Sequence, residues 1–205
     1  MKAERIRTEE VIDAAIKRFS YFGIGKTTLT EVAEDLSLTK QALAYYFPDK
    51  HSLVKAVMDK LTGAYLAQLR TGMEAGADTE TSLMQLVEVK AYYLKTYFML
   101  VVQADQAELL NKPLLSWKQY LQERELELVT AVFRRGVASG ELQPIDTSAT
   151  AVLFLETLYA FSRCLQEKGS LPDEAAMDLV FTRQREVIRL FYKGIKTNNG
   201  SHDTE

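Results

Sequence analysis

Thr39, Lys40 and Gln41 stand together where the flanking pattern starts a short helix, and their side chains offer a hydroxyl, an ammonium and a carboxamide. Such donors at a helix N-terminus suit the base edges of a nucleic-acid groove, where lysine can pair with guanine and glutamine with adenine. Thr27 and Thr28 open the preceding helix, where free N–H groups and the positive end of the helix dipole favour a phosphate. Catalytic chemistry lacks its parts. The two histidines, His51 and His202, form no triad or metal cluster with the single cysteine, Cys164, and no glycine-rich phosphate loop is present. Cys164 in an apolar helix reads as a small buried hydrophobe. No catalytic residue, metal ligand or cofactor is expected, and the chain is read as a non-enzyme.

The elements that must hold these donors are legible in residues 28–47, TLTEVAEDLSLTKQALAYYF. Thr28 and Glu31 have capping-box spacing, so hydroxyl and carboxylate can each satisfy an orphan backbone donor, and a helix should begin at Leu29. Leu29, Val32, Ala33 and Leu36 recur at helical spacing and form one apolar stripe. Ser37 and Leu38 make a turn. Thr39 is a good N-cap for a second helix, with Leu43 and Phe47 pointing inward and Lys40, Gln41, Ala44, Tyr45 and Tyr46 left outside. Two short helices joined this way, the second with an outward polar and aromatic face, read as a helix-turn-helix. A preceding helix is predicted from Thr8 to Phe22, stopped by Gly23. Pro48 and Asp49 end the second helix and cap a fourth, which runs from Lys50 through Leu53, Val57, Leu61 and Ala64.

The stretch FSYFGIGKTTLTEVAEDLSLTKQALAYYFPDKHSLVKAV, supported by FRRGVASGELQPIDTSATA, resembles the tetracycline-repressor (TetR/AcrR) family of transcriptional regulators. The resemblance implies an all-α fold, with an N-terminal three-helix helix-turn-helix domain followed by a helical ligand-binding and dimerisation domain. It implies DNA-backbone contacts for Tyr45, Tyr46 and Lys50, beside Lys26, Thr27, Thr28, Thr39, Lys40 and Gln41. Gln41 stands where a small residue is frequent, and Ala44 where an aromatic often stands, so the base preference is this chain's own. Packing of Tyr45 or Tyr46 against the fourth helix is the competing reading.

Charge narrows the nucleic-acid reading. The net charge is −3, with ten basic against nine acidic residues in positions 1–60 and fifteen against nineteen beyond. A nearly neutral head requires a locally placed footprint, for which Lys2, Arg5, Arg7, Lys26, Lys40 and Lys50 are the candidates. That set suits a dimer reading a limited site better than a strong non-specific DNA coat. With 47% apolar residues the chain can bury a sizeable core. No run reaches the ~18 apolar residues of a membrane span, one cysteine permits no internal disulfide, and residues 1–20 carry no signal-peptide pattern. A cytoplasmic location is expected.

Domains are placed at 1–50 for the DNA-binding head, 51–196 for the regulatory body and 197–205 for a disordered tail. A helix over Glu80–Gln103 carries apolar side chains on several sides, and another starts at Asn111 and Pro113. The resemblance implies an effector pocket between these helices, with Tyr93, Tyr97, Phe98, Trp117 and Tyr120 as walls; the alternative is that they fill a core. After Gly140, Asp146 or Thr147 caps AVLFLETLYAF, and after Pro172, Asp173 caps a last helix ending near Gly194. Helices apolar nearly all round need covering on both flanks, so Phe154, Phe161, Met177, Phe181 and Ile188 are assigned to a homodimer interface. The function reads as a ligand-responsive DNA-binding regulator, a repressor released from operator DNA by a small hydrophobic molecule. The alternative is a small-molecule-binding or protein-interaction module with a DNA-binding-deficient head.

Overall fold

The computed structural model describes residues 2–97, 100, 111–166 and 174–197. Among them are eight helices: α1 Lys2–Phe22, α2 Leu29–Asp35, α3 Lys40–Tyr46, α4 Lys50–Ala75, α5 Thr79–Thr96, α6 Asn111–Ala138, α7 Thr147–Gln166 and α8 Glu174–Ile195. The fold is all-α.

Two helices depart from expectation. α1 begins at Lys2, six residues before Thr8, because AERIRTEE contains no breaker and Arg7 Nη1 bridges Glu10 at 2.8 Å one turn on. α5 ends at Thr96, with Tyr97 in a turn whose N–H still bonds Tyr93 O at 2.9 Å, and the rest of the helix expected as far as Gln103 lies, Leu100 apart, outside the described residues. No glycine or proline announces that stop. The proposed Asp173 cap, the side chain of Cys164 and residues 198–205 of the tail lie outside the described residues, as do the side chains of Lys2 and Arg5.

The chain divides into two compact units: residues 1–65 with 92–121, and 66–91 with 122–205. Neither unit ends at residue 50. The reason is packing, since Leu53, Val54 and Val57 at the start of α4 are buried in the same core as Val11, Ala15 and Phe19 of α1, Val32 and Ala33 of α2, and Leu43 and Phe47 of α3. Leu100 joins that core, and Tyr97 and Trp117 pack against it half-buried.

Gly23 adopts a left-handed φ of 83° and closes α1 through its N–H to Phe19 O at 2.9 Å. Ser37 is left-handed as well, at φ 55°, a conformation that disfavours a side chain. It sits at the end of α2, where Ser37 N bonds Glu34 O at 3.0 Å and Leu38 N bonds Ala33 O at 2.8 Å. These two bonds satisfy the last carbonyls of α2 and set the turn into α3.

In the second unit α7 packs on α8, and the rings of Phe133, Phe154 and Phe191 meet with centroids 5.3–6.2 Å apart. Asp146, the true cap of α7, accepts from Ser148 N and Ala149 N at 3.0 Å each. Gly140, at φ 76°, turns the chain after α6 so that Gln143 N reaches Ile195 O at 2.9 Å and Thr197 N reaches Glu141 O at 2.9 Å.

This arrangement corrects the interface assignment. Phe154, Met177, Phe181 and Ile188 are buried within the protomer's own core, and Phe161 is half-buried. α8 is not apolar on every side: Met177, Val180, Phe181, Gln184, Ile188 and Tyr192 form one inward stripe. Among the described residues, the large apolar side chains that α7 and α8 leave outside are Val152, Leu153, Leu179 and Leu190, the last 70% exposed.

Candidate nucleic-acid interface

The head is assembled from locally encoded caps. Thr28 is extended, with φ −107° and ψ 157°; its hydroxyl accepts from Glu31 N at 3.3 Å, and Glu31 Oε2 accepts from Thr28 N at 2.7 Å. The Thr28 N–H and the Thr28 hydroxyl, both donating to Oε2, hold the Glu31 carboxyl below its usual range. Thr39 repeats the N-cap on α3, its Oγ1 accepting from Ala42 N at 3.1 Å. Asp49 Oδ1 accepts from Ser52 N at 2.7 Å and starts α4. Each cap is worth about 1 kcal/mol, which matters for two helices of seven residues each, too short to stand in water alone.

Burial then fixes which face of α3 looks outward. Leu43 is fully buried and Phe47 nearly so, anchoring the helix from below, while Lys40 and Gln41 are exposed on its first turn. Tyr45 is 74% exposed and meets the Tyr46 ring edge-on at 5.3 Å. Tyr46 is half-buried against the head core, whereas Tyr45 projects into solvent. Lys26 is exposed, whereas Lys50 is half-buried, its Nζ donating to Gly25 O at 3.4 Å. Burial pushes the Lys50 ammonium pKa down.

Thr27 is the correction here. It is 2% exposed, and its Oγ1 donates to Gly23 O at 3.0 Å. A hydroxyl proton spent on closing the α1–α2 loop is not offered to a phosphate, and the exposed Thr28 hydroxyl is likewise donated, to Glu31 Oε2 at 2.8 Å, which leaves that role to the backbone N–H groups of the α2 start.

One feature escaped the sequence reading. Arg18 of α1 grips Asp35 of α2 through Nε to Oδ2 at 2.5 Å and Nη2 to Oδ1 at 2.9 Å, with Nη1 3.6 Å from Glu31 Oε1. This fork fixes α2 on α1 and offsets two carboxylates that would otherwise oppose a phosphate. It holds the Asp35 carboxyl below its usual range. Seventeen residues separate the partners, beyond the reach of a local pattern.

Of the aromatics assigned to a pocket, Tyr93 and Tyr97 come together, and Tyr97 and Trp117 both pack against the head core. Tyr93 meets Tyr65 at 5.3 Å and Tyr97 at 5.6 Å. Trp117 Nε1 donates to Asp59 Oδ1 of α4 at 3.1 Å, placing the indole on the head core. Tyr120 is exposed at the surface, and Phe98 lies outside the described residues. An open groove of about 450 Å³, lined by Glu80, Glu186, Arg189, Leu190 and Lys193, shares none of these aromatics. Among the described residues no three or more potential ligands gather in a metal-binding group, and no helix is long and apolar enough to cross a membrane.

Comparison with known proteins follows the same division. The pattern for bacterial regulatory proteins, tetR family, matches residues 11–57, the stretch from α1 into α4. The HTH-type transcriptional regulator RutR of Escherichia coli is 24% identical over 203 residues, covering 95% of this chain and 93% of that protein. The regulator BetI of Paraburkholderia phytofirmans is 27% identical over 177 residues, covering 70% of this chain and 87% of its own length. Among solved structures, a transcriptional regulator from Cytophaga hutchinsonii superposes with a TM-score of 0.80 at 25% identity, over 93% of this chain and 99% of the other.

Proposed function

From the premise that this chain belongs to the TetR family and is a transcriptional regulator with a DNA-binding helix-turn-helix, we propose that it is a homodimeric repressor released from operator DNA by a small molecule. The observation that carries the DNA-reading part is α3 itself: capped by Thr39, anchored by Leu43, and presenting Lys40, Gln41 and Tyr45 to solvent. In this reading Lys40 and Gln41 meet base edges. Thr39, Tyr45 and the half-buried pair Tyr46 and Lys50 meet the DNA backbone, with Lys26 and the α2 terminus at Thr28 on the adjoining phosphates.

Two copies place two α3 helices in successive major grooves, about 34–36 Å apart. The outer apolar residues Leu153, Leu179 and Leu190 support α7 and α8 as the self-complementary surface. A ligand that binds one conformation of the regulatory helices better than the other shifts the dimer away from that spacing and weakens DNA binding without touching the reading residues. α4, α5 and α6 each begin in one unit of the chain and end in the other, which gives such a change a covalent route.

The test is selection of bound sequences from random duplex DNA by the full chain, followed by release assays on the selected site with a metabolite library. A two-fold symmetric site with half-sites one helical turn apart is expected. Sequence-independent binding would overturn the reading.

A further inference from the structure

Adjacent residues of α4 are tied to different helices. Lys60 Nζ donates to Glu9 Oε2 at 2.7 Å and to Asp13 Oδ1 at 2.6 Å, both on α1, while Asp59 Oδ1 accepts from the indole Nε1 of Trp117, on α6, at 3.1 Å. The other Asp59 oxygen accepts from Lys55 Nζ at 2.7 Å. Successive positions on a helix point about 100° apart, so the two ties pull on α4 from two sides and fix its rotation as well as its tilt. All of these residues belong to the same compact unit of the chain.

The two ties differ in kind. Lys60 reaches its partners on a flexible four-carbon stem, whereas the Trp117 ring is half-buried against the head core, so packing aims its N–H. A half-buried indole N–H needs an acceptor, and Asp59 supplies a charged one. The ring alone would fill the core; the bond adds a direction. The core that α4 enters through Leu53, Val54 and Val57 also holds Leu43 and Phe47 of α3, and only the turn at 47–49 separates the two helices. Whatever orients α4 therefore orients α3 with it. The family pattern stops at residue 57, so Trp117 reaches the head from far outside the stretch that defines it.

We infer that Trp117 is a positioning residue for operator binding: its ring closes the head core, and its N–H, held by Asp59, sets the orientation of α4 and with it that of Lys50 and the α3 reading face. This rests on the DNA-reading part of the function proposed above. Trp117 acts through α4 and makes no DNA contact of its own. Without the tie, α4 samples several orientations about the core, and only the fraction that presents Lys50 and α3 correctly binds, so affinity falls by that fraction.

The experiment uses the full-length chain and its selected operator, with anisotropy read at fixed salt below the melting temperature of every variant. Trp117→Phe keeps a ring on the core and removes the N–H. Asp59→Asn and Asp59→Leu lose the same charge, but only asparagine keeps an acceptor oxygen. Asp59→Leu should bind operator about tenfold more weakly than Asp59→Asn while Trp117 is present, and the two should be equal in Trp117→Phe. Their salt slopes should match, because no phosphate contact is lost. Emission of Trp117, the chain's only tryptophan, should shift in Asp59→Leu and stay near wild type in Asp59→Asn. Amide exchange over residues 50–65 should be about tenfold faster in Asp59→Leu than in Asp59→Asn. Equal operator affinity of the two Asp59 variants with Trp117 present, or the same difference between them in Trp117→Phe, overturns the positioning role. If Trp117→Phe fails to fold, the two Asp59 variants on native Trp117 decide alone. A wild-type chain that selects no operator refutes the DNA-reading function instead, and the tie is then judged by exchange: equal rates in the two Asp59 variants overturn it, and faster exchange in Asp59→Leu upholds it.

Discussion

Gln41 and Lys50 lie nine residues apart on the same head, and their surroundings assign them different physics. Gln41 stands free on the first turn of α3, so its carboxamide can approach a base edge. Lys50 is half-buried against the Gly25 carbonyl, a fixed point charge beside the helix and not on its reading face. Removing the Gln41 carboxamide with Gln41→Ala should therefore cost about 1–3 kcal/mol per half-site at one base pair, and nothing at sequences already lacking it. Lys50→Ala should weaken all sequences alike. Each lost phosphate contact lowers the slope of log K against log salt by about 0.9, so a dimer losing two should flatten by roughly 1.8. Between 50 and 200 mM salt that difference amounts to roughly tenfold: wild type should lose about ten times more affinity than Lys50→Ala over the interval. The assay is fluorescence anisotropy on the selected site and on single-base variants of it, at four or more salt concentrations. If both variants change affinity with the same sequence profile and the same salt slope, the division between base reading and phosphate contact is wrong.

Three further outcomes follow from the geometry. Ser37→Gly should raise the thermal stability of the head by up to about 1 kcal/mol, since it relieves a left-handed side chain at the end of α2, and a lower melting temperature would refute the strain. Leu153→Glu with Leu190→Glu should give a folded monomer by light scattering that no longer binds operator cooperatively, whereas Phe181→Glu should unfold the chain, losing about 3–5 kcal/mol from the vacated core alone; a folded, dimeric double variant would remove α7 and α8 from the interface. The depressed carboxyls of Glu31, Asp35 and Asp49 contribute stability that is full above the ordinary carboxylate range and is lost as pH falls through their lower folded values, so melting temperature should be flat near neutrality and drop in acid, and Glu31→Gln with Asp35→Asn should shrink that drop.

What could be read from the sequence and what could not divide by the distance over which each signal acts. The Thr28–Glu31 box, the Thr39 cap and the Asp49 cap each close within three residues, so residue type and spacing contain the whole interaction. Leu43 and Phe47 follow from the same periodicity, and with them the outward face of α3. The Arg18–Asp35 fork and the Trp117–Asp59 bond join residues from different helices, and nothing local distinguishes Arg18, Asp35 or Asp59 from an ordinary surface charge. Thr27 shows the same limit at short range, because its burial depends on Gly23 turning left-handed and presenting a carbonyl four residues back.

The regulatory helices expose a different ambiguity. A run of apolar residues records that a side chain avoids water without recording whose side chains cover it. In α8 the stripe through Met177, Phe181 and Ile188 is satisfied inside one protomer, and only Leu179 and Leu190 remain outside, eleven residues apart and therefore on nearly the same face after three turns. In α7 the inward set Ala151, Phe154, Leu155 and Leu158 is joined by the outward neighbours Val152 and Leu153, so this helix has a second apolar side. A surface that must bind a copy of itself has to stay apolar while the core is already complete. The residues to mutate for assembly are accordingly those that periodicity marks as surplus, and the strongest core positions are the wrong ones.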